Sequence, residues 1–143
     1  MRPDLEPSLV AADYPYSHRI RVRFAETDAM GIVHHSNYLL YLEETRVEYL
    51  RHLERPYTDL RADGVDLAVL ECLLRYRRPL RFDEQLDVYT MLVRPSRATF
   101  RMAYLLTVDG EVRATAVTAH GAVNGQGRPV RMPPWLTALA IDM

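Results

Sequence analysis

Between Glu26 and Tyr38 the chain reads Glu-Thr-Asp-Ala-Met-Gly-Ile-Val-His-His-Ser-Asn-Tyr, a stretch that gathers groups able to work on a carbonyl. The Asp28 carboxylate can act as a base on water or attack a carbonyl carbon itself. A helix is expected to start just beyond it, and the unpaired N–H groups at a helix N-terminus together carry about half a positive charge. Donors of that kind aimed at a developing oxyanion are each worth roughly 3 to 4 kcal/mol. Gly31 permits a backbone approach that a side chain would block. An aspartate in a loop ahead of a helix is also a common turn or capping residue, so spacing alone leaves both roles open.

Other candidates are weaker. Two adjacent histidines, His34 and His35, are expected to project in different directions from a helix start, which argues against a shared metal, and the zinc-protease helix spacing is absent. Glu43 and Glu44 read as structural residues, with Glu43 spaced to pair with Arg46. Tyr38 and Tyr41 can line a pocket or fill a core. Cys72 is the only cysteine, so no internal disulfide can form, and its place in an apolar strand-like run predicts a buried, inert thiol.

Whatever holds these residues must fit in 143 residues, enough for one domain. We assign residues 1–17 to an N-terminal extension and 18–143 to that domain. A net charge of -1 lacks the basic excess that nucleic-acid backbones require, and all 18 basic residues are arginine. The N-terminal stretch lacks the basic and apolar blocks of a signal peptide, and no run reaches the ~20 apolar residues of a membrane helix. A cytoplasmic protein is the expectation.

Arg19 to Phe24 alternates, placing Ile20, Val22 and Phe24 on one face of a strand. Ser36 to Leu53 has helical periodicity, with Ser36 or Asn37 as cap, Pro56 beyond the end, and a first half apolar around its whole circumference. Strands follow over Val65 to Arg77, Leu86 to Leu92, Ala98 to Val108 and Val112 to Val123, with Asp109-Gly110 as a hairpin signal. On the first of these, Ala68, Leu70, Cys72, Leu74 and Tyr76 should share a face. A helical turn is expected from Pro133 and Pro134 through Trp135 to Leu139. Strand, long helix, then four strands implies an α+β fold, one mainly antiparallel sheet curled around the helix. Open edges and an uncovered outer face would favour assembly.

The run from Thr27 to Tyr38, the segment Tyr41-Leu42-Glu43-Glu44-Thr45-Arg46-Val47-Glu48-Tyr49-Leu50-Arg51, and Arg78-Pro79-Leu80-Arg81-Phe82-Asp83-Glu84-Gln85-Leu86 closely resemble the 4-hydroxybenzoyl-CoA thioesterase family and its YbgC-like acyl-CoA thioesterase branch. That resemblance implies a hotdog fold assembled as homodimers or homotetramers. It also implies hydrolysis of an acyl-CoA thioester without metal or other cofactor. Asp28 would be the catalytic carboxylate, with Gly31 in the same turn and the His35 backbone N–H holding the thioester carbonyl. The His35 ring is a second candidate participant; His34 and Tyr38 would line the acyl pocket or pack. Coenzyme A phosphates need basic side chains at a surface or subunit boundary, and Arg94 and Arg97 come first, then Arg128 and Arg131. A non-catalytic acyl-CoA sensor is the alternative, and a hydratase the last choice.

Overall fold

The computed structural model describes residues 5–142. Five strands form one antiparallel sheet: β1 (Tyr16–Arg21), β2 (Asp66–Tyr76), β3 (Gln85–Val93), β4 (Thr99–Val108) and β5 (Glu111–Val123). Their spatial order is β1-β3-β4-β5-β2, which leaves β1 and β2 as edges. Between β1 and β2 lie the long helix α1 (Tyr38–His52) and a shorter α2 (Tyr57–Ala62); α3 (Pro134–Thr137) follows β5. This is the hotdog architecture, a sheet wrapped around a helix. At six residues α2 is too short for its periodicity to stand out in the sequence.

Period-two alternation decides which residues meet α1. Leu86, Val88 and Leu92 of β3, Met102, Tyr104 and Leu106 of β4, and Ala114 and Ala116 of β5 form one buried cluster with Tyr38, Tyr41, Leu42, Tyr49 and Leu50 of α1. Small alanines on β5 leave room for the helix tyrosines. The helix ends where Glu54 adopts a left-handed φ of 60° and the Arg55 amide donates back to the Leu50 carbonyl.

Five expectations change. Ile20 and Val22 are buried but Phe24 is 74% exposed, because β1 stops at Arg21 and Phe24 opens a 3-10 turn. Leu39 and Leu40 are exposed, so α1 has an open side along its first half; it packs toward β1 and β3. On β2 a bulge between Val69 and Glu71 breaks the alternation. Val69 opposite His120 and Cys72 opposite Thr118 therefore share the helix-facing side, without Ala68 or Leu70. Cys72 is exposed rather than buried, since its strand is an edge, although partial desolvation still pushes its thiol pKa up. Finally, the outer sheet face is partly covered. Leu5 and Tyr14 pack there on Met91, Val93, Ala103, Leu105 and Val117.

Candidate active site

The segment from Glu26 to Tyr38 is held by a framework of backbone bonds. Thr27 bridges Val33 and Ile32 bridges Arg81, closing a small hairpin whose tip is Met30-Gly31. The Asp28 amide donates to the Ile32 carbonyl at 2.8 Å and the Gly31 amide to the Asp28 carbonyl at 3.0 Å. Gly31 takes a φ of +79°, the left-handed turn conformation that disfavours a side chain. Behind this hairpin the Val33 amide is anchored on the Leu80 carbonyl at 2.8 Å. Residues 79–84 are fixed in turn by Arg113, which donates to both Glu84 carboxylate oxygens at 2.9 and 2.8 Å and to the Pro79 carbonyl at 2.7 Å.

Glu26 is the residue that sequence reasoning passed over. It is buried, and its carboxylate accepts from the Arg23 amide at 2.8 Å, the Arg23 guanidinium at 2.9 Å and the Tyr41 hydroxyl at 2.8 Å. Its carbonyl accepts from the His34 amide at 2.9 Å and the Asn37 side chain at 2.8 Å. Burial pushes the Glu26 carboxyl upward, but these hydrogen bonds and the Arg23 charge outweigh it and hold the group below the usual glutamate range. One side chain thus ties the reactive loop to the first turns of α1. The available signal was the pair Arg23 and Glu26, three apart at the loop's entrance.

Asp28, Met30, Ile32, His35, Tyr38 and Tyr76 line an open recess of about 330 Å³ beside Arg77 and Arg78. Asp28 is half-buried, and its Oδ1 accepts from the Met30 amide at 2.8 Å. Its other oxygen makes no hydrogen bond among the described residues. The loop role and the free oxygen coexist in one carboxylate.

A second free group stands at the helix start. The amides of Val33, His34 and Asn37 are bonded to carbonyls, and that of Ser36 donates to His34 Nδ1 at 3.2 Å. Among the described residues the His35 amide has no acceptor, at the first position of the 3-10 turn His35–Asn37 that leads into α1. Tyr76 braces the same turn, donating to the His35 carbonyl at 3.3 Å and meeting Tyr38 edge-on at 4.8 Å. Asp28 and His35, which carry these two free groups, both line the one recess.

Several predicted residues stand elsewhere. His34 is exposed and caps the turn, and it does not line the recess. The two histidine rings do not diverge as expected; their centroids are 4.1 Å apart, tilted by 31°, because the 3-10 turn brings consecutive side chains together. Among the described residues no cluster of three or more metal-ligating side chains occurs. Among the described residues Glu44, not Glu43, has a side-chain partner, His18 on β1 at 2.7 Å, while Arg46 turns inward to the Tyr104 hydroxyl. Arg94, Arg97, Arg128 and Arg131 lie beyond the far end of β3, in the turns where the Met132 amide meets the Arg97 carbonyl. The nine residues of β3 span about 30 Å, so these arginines stand at the other end of the strand from the same chain's Asp28 recess. Arg77 and Arg78 line that recess, and their doublet beside Pro79 was the overlooked signal.

Fold and loop together define a hotdog thioesterase scaffold, and the chain belongs to the thioesterase-like superfamily, whose family model matches residues 22–139. Among its relatives, the Bacillus subtilis protein named "Putative acyl-CoA thioesterase YneP" is 32% identical over 83% of this chain and 91% of its own length. The acyl-CoA thioester hydrolase YbgC of Escherichia coli O157:H7 is 35% identical over a shorter stretch, 50% of this chain and 53% of that protein. The crystal structure of protein AQ1494 from Aquifex aeolicus superposes with a TM-score of 0.84 at 38% identity, covering 89% of this chain and 100% of the other.

Proposed function

We propose that this protein is a YbgC-like thioester hydrolase that converts an acyl-CoA to the free acid and coenzyme A. The observation that carries this reading is the pairing, in one recess, of an Asp28 oxygen without a partner and an unpaired His35 amide. Asp28 takes a proton from water as the water oxygen adds to the thioester carbon, and the oxyanion that forms accepts from the His35 N–H. Collapse breaks the C–S bond and the thiolate leaves, taking a proton. The direct route is equally compatible with these residues: an Asp28 oxygen adds, the thiolate departs, and water opens the anhydride. Neither route assigns a step to a metal or prosthetic group. No helix among the described residues is long and apolar enough to cross a membrane, and we place the enzyme in the cytoplasm.

Assembly belongs to the same reading. β2 is an eleven-residue edge rich in apolar side chains, whereas β1 is short and charged. Two-fold antiparallel pairing of β2 with β2 of a second copy forms the dimer. It sets the Tyr76 end of one strand, which borders the Asp28 recess, against the Asp66 end of the other. Arg77 and Arg78 then meet the coenzyme A phosphates in one chain, and Arg94 and Arg97 serve only a substrate seated on the other. Thiol release measured over short-chain, long-chain and aromatic acyl-CoAs tests the proposal. Release from at least one class is expected; silence on all of them with retained binding would make the protein an acyl-CoA sensor instead.

A further inference from the structure

A cavity larger than the Asp28 recess measures about 410 Å³ and lies between the second half of α1 and the Asp66 end of β2, with Leu50, Leu67, Phe100 and Met102 among its walls. Glu43, Arg61 and Asp66 also line it, the last two paired with each other at 3.0 Å. A connected row of polar side chains meets this space at its two ends, Arg46 and His120. Arg46 Nη1 stands 3.2 Å from the Tyr104 hydroxyl, that hydroxyl 2.8 Å from Thr118 Oγ1, and Thr118 Oγ1 2.7 Å from His120 Nε2.

Arginine can only donate, and this fixes the direction of the whole row. The Tyr104 oxygen accepts from Arg46, so its own proton goes to Thr118, whose proton goes to His120 Nε2. No other assignment lets each buried hydroxyl both donate and accept. His120 therefore carries its proton on Nδ1. Burial first, and the Arg46 charge second, push the imidazole pKa down to about 3, against an upward pull from a hydrogen-bonding contact with the Ala68 backbone, so the ring is neutral. His120 is 1% exposed, is stacked on Phe100 at 5.0 Å, lines the cavity, and beyond that loose Ala68 contact its Nδ1 makes no well-formed hydrogen bond among the described residues. A buried donor without a well-placed acceptor is costly, and a ligand atom that accepts from it recovers that cost.

We propose that this cavity is a ligand site for an apolar ring or chain bearing one neutral oxygen, a hydroxyl or keto group, which accepts from His120 Nδ1–H. Naming that occupant as the acyl portion of the substrate rests on the thioesterase reading and on β2 pairing, which brings the cavity of one chain to the Asp28 recess of the other. The binding chemistry itself does not rest on it.

The test uses the intact protein with no thioester present, titrating 2-naphthol and 2-methylnaphthalene, which match in size and differ in the oxygen. Tighter binding of 2-naphthol by about tenfold, the scale of one recovered hydrogen bond, is expected. His120→Phe keeps the stack on Phe100 and should bring the two probes to equal affinity while still binding 2-methylnaphthalene. Thr118→Val, which removes the donor that fixes the tautomer, should reduce the preference, and Thr118→Ser should restore it. Asp28→Asn should leave both affinities unchanged, which separates this site from the catalytic reading. Equal affinities in the parent protein, a preference that survives in His120→Phe, or failure of both probes to bind would overturn the proposal.

Discussion

The two ends of α1 are built on opposite principles. At the N-terminal end the recess is open, and its reactive groups are small: one carboxylate oxygen and one backbone N–H, held by hairpin bridges and by Glu26. At the C-terminal end the cavity has core residues such as Leu50, Leu92 and Met102 in its walls, and its buried polarity comes from side chains that bond to one another up to the last nitrogen. A backbone donor survives every substitution except proline and is not displaced by a rotamer change, which suits a carbonyl that must be met the same way whatever acyl group it carries. Side chains in a core can be exchanged without disturbing that chemistry, which suits selection of the acyl group. The proposed function thus keeps reaction and recognition apart along one helix.

The largest expected effect of breaking this division is at Asp28. Asp28→Asn keeps an oxygen able to accept from Met30 N–H but loses the base, and turnover should fall by about a thousandfold or more with an unchanged melting temperature, checked by thiol release and thermal unfolding. Next comes Glu26. Glu26→Ala strips the partner from the Arg23 amide, the Arg23 guanidinium and the Tyr41 hydroxyl, and should cost about 3 kcal/mol of stability by denaturant unfolding.

The same residue makes a pH prediction. Its folded pKa is lowered, so its contribution is present above the ordinary glutamate range and is lost as pH falls through the folded value. The stability gap between the parent and Glu26→Gln should therefore be full near neutrality and shrink in acid below about pH 4. Smaller again, Arg77→Ala and Arg78→Ala should each raise KM for acyl-CoA severalfold with little change in kcat, as expected for exposed charges that meet phosphates. His34→Ala should be the mildest, because its capping bonds lie on an exposed turn, with a loss of about 1 kcal/mol at most and near-parent kcat.

Much of this organisation was legible in the residues themselves. The alternation in β3, β4 and β5 and the helical period of α1 placed the elements to within about two residues, because one side of each is buried and the pattern has to record it. The Asp28 to Tyr38 segment was marked as a candidate site by its residue types, and Asp28, His35 and Tyr38 do border one recess. Three features were hidden for physical reasons. The β2 bulge moves Leu70 out of register through backbone geometry that composition does not encode. Glu26 is buried by a tyrosine fifteen residues away, a contact that local spacing cannot reveal. The row from Arg46 to His120 joins one helix and two strands, and only the sheet register opposing Thr118 to Met102 and Cys72 brings it together. The burial assigned to Cys72 failed for a related reason, since alternation marks a strand's faces and not whether that strand is an edge.

The direct measurement is binding of an intact acyl-CoA by Asp28→Asn, followed by calorimetry while a thiol reagent reports cleavage. If the carboxylate supplies chemistry and not architecture, the variant should hold the uncleaved thioester with an affinity within about twofold of the KM of a parent enzyme limited by its chemical step. Thiol release at the parent rate would contradict the account, and so would loss of fold and binding together.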